Sequence, residues 1–170
     1  MKKFSLILFL LLYVFNYKIF AAENFTLESS AFKLNTMIPA AYTCSGADQS
    51  PPLEWHNPPA KTQSFALVMQ DPDAPNGTWT HWILFNIPAN INELGAGSPV
   101  PESAANGKNS WGGLGYRGPC PPVGAHRYVF KLYAMDTVLS VGEDATADAI
   151  LQAMTGHVLG TAELVGLFQK

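Results

Sequence analysis

The sequence predicts a mainly β fold with one or two short helices, and three observations carry that expectation. Only 14% of the 170 residues are charged, while 13 are Pro and 14 are Gly; that balance favours a loop-rich β protein over a helical bundle. Three runs have strand length and strand chemistry: Ser64–Gln70 (SFALVMQ), Thr78–Ile87 (TWTHWILFNI) and Arg127–Ala134 (RYVFKLYA). Against them stands one clear helical pattern, Asp144–Thr155.

Taken in order, the chain opens with Lys2 and Lys3, an apolar run from Phe4 to Phe15, and small residues at Ala21 and Ala22. Twelve apolar residues are short for a bilayer span, and a basic start before such a run is the signal-peptide pattern. Residues 1–22 are therefore read as a cleaved export signal and 23–170 as a single domain. Export places the mature chain in the periplasm or outside the cell. Cleavage leaves seven basic against thirteen acidic residues, a charge of −6, and the negative sign argues against nucleic acid as the partner.

Asn24–Phe32 supplies a first short strand. From Met37 through YTCSGADQSPPLEW the chain reads as irregular, because Gly46, Asp48, Ser50, Pro51 and Pro52 are turn chemistry. Trp55 reads as a core or rim aromatic. Ser64–Gln70 is almost continuously apolar, as a strand buried on both faces should be. It ends in DPDAP, a turn fixed by Pro72 and Pro75, and Asn76-Gly77 turns the chain again into Thr78–Ile87, so the two strands should be hairpin partners or near neighbours. Pro88 stops the second strand.

Ala89–Gly113 is low in hydrophobicity and reads as a long surface loop, a kind of segment that is often functional. Gly115–Gly124 (GYRGPCPPVG) is stiff and donor-poor, and it feeds straight into the strand from Arg127. If that strand begins at His126, His126 and Tyr128 point to the same side. Asp144 or Thr146 can cap the helix, Ala149, Ile150, Ala153 and Met154 form its apolar stripe, and Gly156 can close it. Val158, Gly160, Ala162 and Leu164 alternate in what reads as a final strand.

Chemistry concentrates in Asp71 and Asp73 of DPDAP, His81 in the next strand, and His126 with Tyr128. A turn Asp ordinarily binds nearby backbone amides, and a lone His in a strand is ordinarily a hydrogen-bonded core residue. His81 stands opposite the DPDAP turn, however, so an Asp–His pair is geometrically reasonable. Two imidazoles, a phenol and backbone donors suit a small oxyanion such as phosphate. Arg117 could add a fork of donors. The sequence has no GxxxxGK[ST] loop, no CxxC and no HExxH. An enzyme remains the alternative: Asp71 and His81 as base and acid, His81, His126 and Asp71 as a two-His, one-carboxylate metal site, or Cys120 with His126 as nucleophile and base. In an oxidising compartment the default for Cys44 and Cys120 is a disulfide, worth roughly 4 kcal/mol, which would tie YTCSG to the Pro-rich corner.

DPDAP…TWTHWILFNIP and GYRGPCPPVGAHRYVFKLYA, together with YTCSG…SPPLEW and AMTGHVLGTAELVG, resemble the bacterial branch of the phosphatidylethanolamine-binding proteins, also called Raf kinase inhibitor-like proteins. The resemblance covers about Asn24–Lys170. It implies a β-sandwich of two antiparallel sheets with short helices, and a small surface pocket for phosphate-like anions. Matched motif by motif, that pocket falls on Asp71, His81, Tyr116, Pro119, His126 and Tyr128, with Asp73 shaping the turn; no cofactor or metal is implied. Eukaryotic members close the pocket with a further C-terminal helix. Here a more open pocket is expected, or one closed by the partner in a homodimer. The implied partners are a small anion such as phosphate or phosphoethanolamine and, as in some members, a kinase or protease held by the protein surface.

Overall fold

The computed structural model describes residues 24–142 and 144–170. The expected signal segment, residues 1–22, lies outside them. Two sheets pack face to face, as expected. The larger is built from β2 (Thr36–Met37), β4 (Ser64–Asp71), β5 (Trp79–Pro88), β7 (Ala105–Asn106), β8 (Ala125–Met135) and β9 (Val158–Gln169), in the order β2-β9-β8-β4-β5-β7. The smaller is β1 (Thr26–Glu28), β3 (Leu53–His56) and β6 (Glu93–Leu94), in the order β1-β3-β6. All pairings are antiparallel except β2 with β9.

The near-continuous apolar character of β4 follows from its place between β5 and β8 with both faces covered. Phe65, Leu67 and Met69 face the small sheet, packing with Leu27, Leu53, Trp55, Phe130 and Leu132. Ala66 and Val68 face the other way, against Ile83, Phe85, Leu139, Ile150 and Met154. That second core is roofed by α1 (Ala147–Ala153), whose N-cap is Thr146: its Oγ1 accepts from the Ala149 amide at 3.3 Å. The helix is shorter than Asp144–Thr155. Of the expected stripe Ile150 and Met154 are buried, whereas Ala149 is exposed.

Two loop expectations are corrected. LEWH forms β3, an alternating strand with Leu53 and Trp55 inward, although the prolines before it read as turn. Ala89–Gly113 is not one loop, because β6 and β7 within it edge the two sheets. The Asn86 side chain bridges to Leu139, donating to its carbonyl at 3.0 Å and accepting from its amide at 2.8 Å.

Candidate functional site

The inner face of the large sheet is apolar until its last residues at one end, where it turns polar. On β4 the series Phe65, Leu67, Met69 ends in Asp71. On β8 the series Leu132, Phe130 ends in Tyr128 and His126, which share a face because the strand starts at Ala125. On β5 the register slips: Met69 pairs with Trp82 but Gln70 pairs with Thr80, leaving His81 as the extra residue of a β-bulge. A bulge re-aims a side chain, and here it turns His81 onto the inner face beside Asp71. Its ring stands edge-on to Tyr128, with centroids 5.2 Å apart.

Asp71, His81 and His126 are all buried and line one small pocket of about 150 Å³ with Ala74, Pro75, Asn76, Trp79, Trp111, Cys120 and Pro122. Drug-sized ligand sites span roughly 300–1,000 Å³, so this one suits an ion or a small head group. His126 Nδ1 donates to Asp71 Oδ2 at 2.8 Å, and Asp71 Oδ1 accepts from the Asp73 amide at 2.9 Å. The expected Asp71–His81 pair is thus corrected, since the partner of Asp71 is His126. His81 instead donates from Nδ1 to the Arg117 carbonyl at 2.7 Å, while the Arg117 amide donates to the His81 carbonyl at 3.2 Å. Burial pushes the His81 pKa below its ordinary value, against the opposing pull of the Arg117 carbonyl and Asp71.

The wall over these strands is the segment 115–122, fastened to the YTCSGAD segment at several points. Cys44 and Cys120 form a disulfide across 76 residues with their Cα atoms 5.4 Å apart. The Cys44 amide donates to the Pro119 carbonyl at 3.1 Å, the Gly118 amide to Asp48 Oδ1 at 2.7 Å, and the Tyr116 hydroxyl to the Tyr42 carbonyl at 2.5 Å. A Cβ on Gly118 would sit 2.5 Å from Asp48 Oδ1 and 2.6 Å from the Tyr42 carbonyl oxygen, so only glycine allows this approach.

Not every expected residue reaches the pocket wall. Asp73 lies at its rim, gripped by Arg127 through Nε at 2.9 Å, an NH2 at 2.6 Å and the backbone amide at 2.9 Å. The Arg127 side-chain hydrogen bonds lower the Asp73 pKa to about 2. Tyr116 packs edge-on against Trp82 beneath the loop, and burial raises its pKa. Pro119 contributes its carbonyl to the fastening and does not line the pocket. Tyr128 does not line the pocket either; it is fully buried, edge-on to the His81 ring. Its hydroxyl is buried without a well-formed hydrogen bond among the described residues, and burial, with Asp71 nearby, raises its pKa. Cys120 has no thiol to offer as a nucleophile, which removes that version of an enzyme. Among the described residues no three His, Cys, Asp or Glu side chains converge as metal ligands, so Asp71, His81 and His126 do not form the two-His, one-carboxylate arrangement.

Trp79 and Trp111 were not singled out by the sequence. Trp111 stands edge-on to His81 (4.8 Å) and to Trp79 (5.4 Å), and the Arg117 guanidinium lies 4.5 Å from the centre of its ring. The available signal was an aromatic stranded between Ser110 and two glycines.

The family profile described as phosphatidylethanolamine-binding protein matches residues 28–169. The chain belongs to the phosphatidylethanolamine-binding protein family. It is 48% identical over 148 residues to a UPF0098 protein of Methanothermobacter thermautotrophicus, covering 85% of this chain and 98% of the relative. A crystal structure of a putative family homologue from Chlamydia trachomatis superposes with a TM-score of 0.83 at 40% identity, covering 86% of this chain and 98% of that one. The structure of E. coli YbcL, titled a new member of the mammalian family, gives 0.82 at 30% identity, covering 87% of this chain and 99% of that one.

Proposed function

We propose that this family member is an exported binding module that holds a small phosphate-like anion at the Asp71–His81–His126 corner. The observation that carries the reading is the pair of buried imidazoles, each fixed at Nδ1 by a protein oxygen and each lining the same 150 Å³ pocket. Preorganised polar tips at the end of an apolar core bind a ligand without first having to be ordered. Export is supported by the signal pattern at residues 1–22 and by the disulfide, which persists in oxidising compartments. Cell fractionation tests that part.

Calorimetry with phosphate and phosphoethanolamine tests the site. Saturable binding is expected in the wild type. In His126→Ala it is expected to weaken by roughly 10- to 100-fold, the worth of one hydrogen bond to a charged group. Equal binding in the two proteins would place the anion elsewhere. The same reading has a protein surface partner, a kinase or protease or a second copy of the chain, engaging the rim around Trp111; sedimentation of the anion-loaded protein with and without the partner tests it.

A further inference from the structure

Two arginines stand beside the pocket, and they are held in opposite ways. The Arg127 guanidinium donates to Asp73 through Nε at 2.9 Å and an NH2 at 2.6 Å, so its charge is cancelled at the rim. Arg117 is exposed, and among the described residues no carboxylate lies within ion-pair distance of it. Its backbone is locked to His81 in both directions, the amide donating to the His81 carbonyl at 3.2 Å and the carbonyl accepting from Nδ1 at 2.7 Å. Its guanidinium lies over Trp111, 4.5 Å from the ring centre, and Trp111 lines the pocket with its ring 4.8 Å from that of His81.

Stacking on an indole occupies the face of a guanidinium and leaves its N–H edge for an acceptor. The neighbouring carboxylates are engaged elsewhere: Asp71 holds His126, and Asp48 accepts from the Gly118 amide. A pocket of about 150 Å³ has room for a phosphoryl group and little more, so the tail of a phosphate ester must leave past the mouth. The lining residues exposed there, Pro75, Asn76, Trp111, Cys120 and Pro122, carry no charge of their own. The uncancelled charge at the mouth is the guanidinium carried on Trp111.

Resting on the reading of this pocket as an anion site, we infer that Arg117 receives the tail of the ligand. The site therefore selects phosphate esters whose tail ends in a carboxylate over those ending in a methyl or an ammonium group. A carboxylate meets the guanidinium in a two-bond fork; a methyl group gains nothing there, and an ammonium group is repelled. The guanidinium stays charged throughout, and both imidazoles meet the same phosphoryl group in every case, so the preference does not depend on their protonation.

Calorimetry at about pH 8 with phosphoglycolate, ethyl phosphate and phosphoethanolamine tests this, because the three carry a fully ionised phosphoryl group and differ at the end of a short tail. Phosphoglycolate is expected to bind roughly tenfold more tightly than ethyl phosphate, the worth of a hydrogen-bonded contact between charges. Phosphoethanolamine should bind about threefold more weakly than ethyl phosphate. In Arg117→Gln, ethyl phosphate should bind as in the wild type, and the three esters should come within about threefold of one another. Lys108→Gln, which removes the same charge beside Asp144 in the polar cleft across the sheet, should keep the wild-type order and spacing. A preference preserved in Arg117→Gln, an equal loss in Lys108→Gln, or phosphoethanolamine binding more tightly than ethyl phosphate overturns the inference and leaves the anion site standing. So does a loss of ethyl phosphate binding in Arg117→Gln, since the guanidinium would then hold the buried phosphoryl group and not the tail. No saturable binding of any of the three to the wild type overturns both.

Discussion

The two faces of the large sheet reach the same edge through the same strands and arrive with different chemistry. On the inner face β4 and β5 end in Asp71 and His81, enclosed in a pocket of about 150 Å³. On the outer face they end in Gln70 and Thr80, beside an open cleft of about 470 Å³ shared with Thr78, Lys108 and the start of α1. The outer groups are bonded loosely: Gln70 Nε2 donates to Thr80 Oγ1 at 3.2 Å, and Lys108 meets Asp144 at 3.3 Å in solvent. The inner groups are bonded to fixed oxygens and buried. The strands supply polar tips on both sides; the covering segment encloses those of one side in a pocket. A disulfide, three hydrogen bonds and a glycine contact press residues 115–122 onto the 42–48 segment, and among the described residues nothing comparable closes the outer cleft.

Cutting the covalent fastening should break the comparison most strongly. Cys44→Ala with Cys120→Ala is expected to cost roughly 4 kcal/mol, the loop-closure entropy of so long a crosslink, and to lower Tm by on the order of 10 °C. NMR shifts should move at His81, His126 and Trp111 and stay put at Gln70 and Thr80. Equal movement on both faces would mean that the segment supports the whole sheet, not the pocket.

The close approach of Gly118 offers a smaller and sharper test. Gly118→Ala should cost about 1–3 kcal/mol through overpacking against Asp48 and Tyr42. Gly124→Ala is the control: it has open space but a positive φ of 73°, and should cost about 1 kcal/mol by denaturant unfolding. If the first costs no more than the second, the segment is held less tightly than its contacts imply.

Smallest of all should be Lys108→Ala on the outer face. Breaking an exposed ion pair changes stability by no more than about 0.5 kcal/mol, and phosphate affinity should not change. A loss of anion binding there would extend the site across the sheet and end the contrast between its faces.

How much of this was legible in the sequence depends on how far each signal extends along the chain. β4, β5, β8 and β9 are long enough to carry a run or an alternation, and the Thr146 cap is a local rule, so all of these could be read directly. β6 and β7 have two residues each and carry no period. LEWH alternates, but Pro51 and Pro52 mask it. Asp71, His81 and His126 were legible as polar residues at strand ends. Their pairing was not: nothing in TWTHW announces that His81 is an extra residue, and without the bulge the ring belongs on the other face. Tyr116 and Pro119 were legible as part of the corner. Whether they face the pocket or its fastenings depends on how residues 42–48 dock, a long-range fact. Trp111 was hidden because its loop context outweighed its type.

The bulge in β5 also bears on which changes of chain length this family member can survive. Deleting Thr80 would let His81 pair with Gln70 while Trp79 and Trp82 kept their places opposite Asp71 and Met69. The ladder would close without its irregularity and the hydrophobic core would be unaltered, yet the imidazole would be carried to the outer face. A change of that kind removes no functional residue from an alignment and costs the fold little. The pocket's composition is therefore stored partly as a count of residues, and a length change of one in β5 is a quieter route to losing it than any substitution at His81.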